Sequence, residues 1–338
     1  MVLALVLAAL LGLTWVGGLV SSLLSARRFA SAHEASLLRE VLVKDNGADA
    51  KVAIIDIAGV ITGDWLDHQG NTFVELIGEQ LRQAAADDAV KAVLLKVDSP
   101  GGEVLASDDI SRAVAKCQET SRKPVVASLG AVAASGGYYV VAPCDWIVAN
   151  ELTITGSIGV IMYGFNYRGL LDKVGVRPEV FKSGKFKDML RGSRSENEIL
   201  PEERQMLQAL VDETHHKFKT VVADGRHKAY AKHQADNARE LSSSWEEYAD
   251  GRVLSGNQAY KLGFVDEIGG LDTAVARASK LAHIPKANLI RYERPFDLSS
   301  FLRLFGKTEG ATLKVDLGME FPKLQAGRLY FLSGTVLR

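Results

Sequence analysis

The run Ala92 to Val97 is near-continuously apolar and sits among short strand-like and helical segments in strict alternation. A run of this kind suits a strand buried on both faces, as in a parallel sheet covered by helices on either side. Its neighbours have the required periods. Val52 to Ile57 reads as a strand, and Phe73, Leu76, Ile77, Leu81, Ala84 and Ala85 recur at helical spacing. Val104 to Gln118 reads as a helix, Val125 to Leu129 as a strand, Ala133 to Ala142 as a helix and Trp146 to Ala149 as a short strand. The pattern predicts an α/β fold with a largely parallel sheet. Further on, Pro201 to Ala223 predicts a long helix with Met206, Leu207, Leu210, Val211 and Phe218 as its apolar stripe. Pro201 suits its first turn, and Glu202 and Glu203 suit its positive end. Residues 224 to 248 read as polar and irregular, and Gln258 to Leu262 as a helix.

The first residues point to a membrane. Val2 to Ala26 carries no charged side chain and is dominated by Leu, Val and Ala. About 20 apolar residues span a bilayer as a helix. The run exceeds the ~7–15 residues of a usual signal-peptide core, which favours a retained anchor. The alternative is a cleaved signal peptide, with Ala30-Ser31-Ala32 as the cleavage site. Arg27 and Arg28 follow the span, and the positive-inside tendency would put the body in the cytoplasm. Residues 27–49 read as a linker or juxtamembrane helix, 50–290 as the main domain and 291–338 as an extension. The extension's apolar patches, Phe301 to Phe305 and Leu329 to Leu332, are too short to cross a bilayer and are expected to pack on the body or on a neighbour. A net charge of −1 gives no global basic field for nucleic acid. Two cysteines, Cys117 and Cys144, make neither a disulfide framework nor a zinc site. No cofactor or metal is expected.

Four segments carry the chemistry. Gly130-Ala131-Val132-Ala133-Ala134-Ser135-Gly136-Gly137-Tyr138-Tyr139 sets one serine among small residues directly after a strand. Small neighbours permit a sharp turn and a close approach by a substrate chain. A serine there is placed to be a nucleophile, with N–H groups near it for an oxyanion. The plainer reading is a tight strand-to-helix joint. Asp98-Ser99-Pro100-Gly101-Gly102 follows the apolar strand, and alone it reads as a Pro-Gly turn. Thr155-Gly156-Ser157-Ile158-Gly159-Val160 lies next, and Lys182-Ser183-Gly184-Lys185-Phe186-Lys187-Asp188 follows Pro178 to Phe181.

A serine hydroxyl needs a base. None of the seven histidines lies between Ser135 and Thr214, and His215 and His216 are expected on the surface of the long helix. A lysine serves instead if it is neutral, and burial without a counter-ion lowers a lysine pKa by up to ~3–5 units. Lys182, Lys185 and Lys187 compete; Lys185 and Lys187 would share a face if their stretch is extended. Asp98, with no histidine near it in sequence, reads as a strand-end structural residue.

In this order the four segments resemble the signal peptide peptidase A family of serine–lysine proteases, over roughly residues 50 to 285. The resemblance implies the ClpP/crotonase-like superhelix of strand–strand–helix units. It aligns Ser135 with the nucleophile, Lys187 with the general base and Ser157 with the serine that orients the lysine. Gly102 and Gly136 match the oxyanion-hole positions, and Gly101 with Gly102 the edge along which a substrate strand lies. Ser157 also reads as a turn serine beside glycines. The resemblance further implies a body outside the cytoplasmic membrane, cleaved signal peptides or other hydrophobic peptides as substrates, and a ring-shaped homo-oligomer with each site shared by adjacent subunits. Two other functions stay open: a sister type of the family acting on misfolded or membrane proteins, and a crotonase-like acyl-CoA enzyme, which needs neither the Ser–Lys pair nor an anchor.

Overall fold

The computed structural model describes residues 38–64, 72–294 and 329–332. The chain divides into two compact units, residues 1–40 with 293–307 and residues 41–292 with 308–338; nearly all described residues fall in the second. The apolar run Val2 to Ala26, the patch Phe301 to Phe305 and the Ala30-Ser31-Ala32 site lie outside the described residues. Among the described residues, no helix is long and apolar enough to cross a membrane.

The elements run β1 (Arg39–Lys44), β2 (Lys51–Ala58), α1 (Phe73–Ala86), β3 (Val90–Ser99), β4 (Gly101–Glu103), α2 (Val104–Ser121), β5 (Val125–Ala134), α3 (Gly136–Val141), β6 (Trp146–Ala149), β7 (Ile154–Gly156) and β8 (Ile161–Met162). They continue with α4 (Arg168–Lys173), α5 (Pro201–His233), β9 (Val253–Ser255), α6 (Gly256–Lys261), β10 (Glu267–Ile268), α7 (Leu271–Leu281), β11 (Asn288–Glu293) and β12 (Leu329–Leu332). The main sheet has the order β1-β11-β2-β3-β5-β6-β10, with β7 on the far end of β5 and β9 on β7. The strands β11, β2, β3, β5, β6 and β10 pair in parallel, as the alternation predicts. A second, three-stranded sheet has the order β4-β12-β8.

The apolar run of β3 is buried on both faces: Val93, Leu94, Leu95 and Val97 are inaccessible. One side packs Ala274 and Ala278 of α7 with Val52, Ile54, Leu94, Val126 and Trp146. Helix α1 begins at a capping box in which Thr72 and Glu75 satisfy each other's backbone N–H, so its start is set locally. Cys117 and Cys144 are buried and unpaired.

Five expectations are corrected. Residues 27–49 do not form only a linker, because Arg39–Lys44 is a strand. The boundary at 290 falls inside β11, which runs to Glu293. The helix expected from Ala133 starts at Gly136, because β5 keeps pairing through Ala134 with β7. The long helix runs on to His233, through part of the stretch read as irregular. Its continuation is held by Phe218, Val222, Gly225, Arg226 and Ala229, all buried, and a polar composition hides that stripe in the sequence. A methyl on Gly225 would run into the Ala142 backbone, so the helix crosses there at backbone distance. The expected stripe fails at its start, where Met206 and Leu210 are exposed.

Arg226 explains why a polar helix segment goes inside. Its guanidinium is inaccessible, ion-paired with buried Asp266, and donates to the Cys144 carbonyl at 3.0 Å. Asp266 also accepts from Ile147 N at 2.8 Å and Arg239 N at 3.2 Å, tying helix α5 to the edge of the sheet. Removing one partner of a buried pair strands the other charge, which costs about 3–5 kcal/mol. Asp266→Ala is therefore expected to lower unfolding free energy by about that much in urea titration; a loss under about 1 kcal/mol would show the pair to be dispensable.

Candidate active site

Strand β5 carries the serine segment past the sheet. Its first half pairs with β3 and β6, and Val132 to Ala134 then pair with Ile154 to Gly156 of β7. The end of the strand is fastened by side chains: Thr155 Oγ1 donates to Ala133 O at 2.7 Å, Thr153 Oγ1 to Gly130 O at 2.8 Å, and Asp98 Oδ1 accepts from Val132 N at 3.0 Å. Asp98 is thus structural, as expected. Immediately beyond, Ser135 has φ 54° and ψ −118°, a conformation that residues with a Cβ avoid. It is over-determined by its neighbours: Ser135 N donates to Gly156 O, and Tyr139 N donates to Ser135 O, both at 2.8 Å. Backbone held in a sparse region by its surroundings is a recurrent mark of functional sites. Ser135 is 1% exposed, and its Oγ has no hydrogen-bond partner among the described residues.

The glycine loop wraps the same point. Gly101 has φ +103°, and its N–H donates to Ser99 Oγ at 3.1 Å. Any Cβ on Gly102 would collide with Ile61. A Cβ on Gly136 would lie 2.6 Å from Ser107 Oγ and 3.0 Å from Gly102 N. The backbones of Gly101, Gly102 and Gly136 therefore meet at distances no side chain allows. Gly101 O accepts from Ile61 N and Glu103 N donates to Ile61 O, at 2.9 and 2.8 Å. Alternation along the strand turns the N–H of Gly102 the other way, toward β12. Gly102 and Gly136 are thus brought beside the serine they were expected to serve.

Ser157 follows β7 with φ 51°, is 5% exposed and donates its N–H to Arg252 O at 2.7 Å. It lines a cavity of about 410 Å³ with Ile161, Val211, His215, Gly251 and Leu332. His215 is half-buried there, its Nε2 2.7 Å from Ala249 O, so the surface expectation holds only for His216.

The lysine segment is not extended. Residues 183–190 form turns, with Gly184 at φ +85°, so Lys185 and Lys187 share no strand face. Small and charged residues without alternation give the backbone no ladder to join. The three lysines do differ. Lys182 pairs with Asp188, which holds that carboxyl below its ordinary value, and Lys185 pairs with Glu202 at 3.2 Å. Lys187 is exposed, and its amine has no partner among the described residues. Among the described residues, no lysine reaches Ser135 Oγ.

Two side chains of this region were read in the sequence only as parts of helices. Tyr139, on the first turn after the serine, donates its hydroxyl to Asp108 at 2.7 Å, and its ring lies 4.9 Å from that of Phe218 on α5. Helical period marks Phe218 as a stripe residue, but nothing local shows that it meets Tyr139.

A buried serine on a forced backbone turn, beside two crowded glycine N–H groups, defines a serine hydrolase site. A sequence profile described as peptidase family S49 matches residues 118–285. The chain is 42% identical over 231 residues to a putative protease of Synechocystis, covering 68% of this chain and 76% of that one. It is 36% identical over 265 residues to a putative signal peptide peptidase SppA of Enterococcus faecium, covering 76% and 71%. It is 34% identical over 242 residues to protease 4 of Salmonella typhi, covering 72% of this chain but 36% of that one. The chain belongs to peptidase family S49, in its signal peptide peptidase A group, and is a serine peptidase.

Proposed function

We propose that the chain is a serine–lysine endopeptidase in which Ser135 attacks the peptide carbonyl and the N–H groups of Gly102 and Gly136 hold the oxyanion. The observation that carries this is the forced backbone of Ser135 beside those two glycines. Lys187, supplied by a neighbouring subunit, takes the serine proton, and Ser157 orients its amine. Lys187 is favoured over Lys182 and Lys185 because the amines of the other two are engaged by Asp188 and Glu202, whereas that of Lys187 has no partner among the described residues. The site is completed in a closed homo-oligomer. Phe165, Leu170, Val174 and Phe181, between Ser157 and Lys187, are 74%, 62%, 63% and 95% exposed in the single chain, which suits a subunit contact.

The substrates are extended hydrophobic peptides taken up as an added strand along Gly101 and Gly102. Remnant signal peptides are the natural candidates, as the name of the Enterococcus relative suggests. The superhelical ClpP/crotonase-like fold, a Val2 to Ala26 anchor in the cell membrane and a body on its outer side belong to the same reading. Treating the assembled enzyme with a fluorophosphonate and mapping its peptides is expected to place a single adduct on Ser135. An adduct on another serine that abolishes activity would overturn the assignment.

A further inference from the structure

Ser99 is the last residue of β3 and is inaccessible to solvent. Register sets its place: the ladder between β3 and β5 shifts after Val97, and Ser99 then lies opposite Ala133, just before the nucleophile. Two further contacts converge on it. Ser99 Oγ accepts the Gly101 N–H at 3.1 Å. A methyl on Gly137 would lie 2.7 Å from the Ser99 carbonyl oxygen and 3.3 Å from its Cβ. The residue thus meets the glycine loop through its hydroxyl, and the first turn of α3 through its backbone and Cβ.

The loop has few other ways to hold its shape. Pro100 has no N–H to anchor it. Gly101 has φ +103°, a conformation without side-chain support, so its bonds alone keep it there. The Gly101 carbonyl accepts from Ile61 N at 2.9 Å. A trans peptide is planar, so the Gly102 N–H points the opposite way from that carbonyl. Its direction is therefore fixed by two bonds, one at each end of Gly101: Ile61 N on the carbonyl and Ser99 Oγ on the N–H. Only the second comes from a side chain. Without the Ser99 hydroxyl, the buried Gly101 N–H loses its acceptor. A glycine relieves such a loss by turning, and turning Gly101 swings the next N–H off its line.

We propose that Ser99 is a positioning residue for the reaction: its hydroxyl holds the Gly101–Gly102 peptide so that the Gly102 N–H faces the oxyanion beside that of Gly136. The inference rests on the reading of those two glycines as oxyanion donors. Ser99 acts through Gly102 and not on the substrate. Its effect appears where negative charge develops on the carbonyl oxygen, because a donor set off line loses transition-state stabilisation and leaves ground-state binding nearly as it was.

The test uses the assembled full-length enzyme with a fluorogenic peptide and a peptide boronic acid of the same sequence, whose serine adduct is tetrahedral and anionic. Ser99→Ala removes the acceptor and keeps the Cβ against Gly137. It is expected to lower kcat by about 10–100-fold, to leave KM within about twofold, and to weaken the boronic acid by the same factor as kcat. Ser99→Cys stays close in volume but is a weak acceptor, so its kcat should fall between those of alanine and wild type; it carries the comparison if Ser99→Ala does not fold in thermal unfolding. Wild-type kcat in a folded Ser99→Ala, or in Ser99→Cys where alanine does not fold, would overturn the proposal. So would a loss that falls on KM alone, or one that leaves the boronic acid as tight as before. The reading beneath it fails separately: a Ser135→Ala variant that still hydrolyses the peptide, or a wild-type enzyme that binds the boronic acid no better than the corresponding peptide amide, would sink the site assignment itself.

Discussion

Ser135→Ala is expected to lose peptidase activity by about 10⁴-fold or more in kcat/KM while the protein stays as stable as the wild type. The first half follows from chemistry: without the hydroxyl there is no acyl-enzyme, and only the oxyanion donors and substrate binding remain. The second half follows from the packing. Ser135 Oγ is buried without a partner among the described residues, so its removal breaks no hydrogen bond among them. Alanine fills the same small space and accepts the positive φ no worse than serine does. Kinetics on a fluorogenic peptide and calorimetry of the same sample check both halves. An inactive variant that is also unfolded would say nothing of catalysis, whereas a folded variant with full activity would remove Ser135 from the mechanism.

Mixing two dead variants is expected to restore activity. Lys187→Ala should be as inactive as Ser135→Ala, because members of one catalytic unit do not add. If serine and lysine meet across a subunit boundary, a ring assembled at random from equal amounts of Ser135→Ala and Lys187→Ala chains contains intact pairs at about a quarter of its boundaries. Activity near that fraction of the wild type should appear in particles that carry both affinity tags. A site complete within one chain would recover none. Three features motivate the expectation: an exposed Lys187 and a serine, neither with a partner among the described residues, and the bare apolar side chains from Phe165 to Phe181. Doubly tagged particles without turnover would rule out the shared site and leave the family assignment untouched.

The crowding of the glycines around Ser135 was legible in the sequence. A serine among small residues just past a strand reads as a nucleophile or as a tight strand-to-helix joint, and only glycine permits the approach of Gly102 to Ile61 and of Gly136 to Ser107. The choice of Lys187 came from a resemblance, and in the folded chain its neighbours Lys182 and Lys185 proved to be engaged by carboxylates.

The parallel sheet, its buried central strand and a strand-to-helix joint near Ser135 were determined by the sequence alone, while the pairing of β5 with β7 decided where that joint falls. Their signals are local: a continuous apolar run, a helical period and a cluster of small residues each act within a few neighbours. Tertiary structure decided how far α5 runs, because its second half is held by Arg226 on Asp266 and Gly225 on Ala142, pairings with no local mark. It also decided what fills the groove. Leu329–Leu332 reads in sequence as a short apolar patch, and only folding brings Phe331 against Tyr139, Phe218 and Gly102. A contact between distant positions is set by where the intervening chain leads, which no local period records.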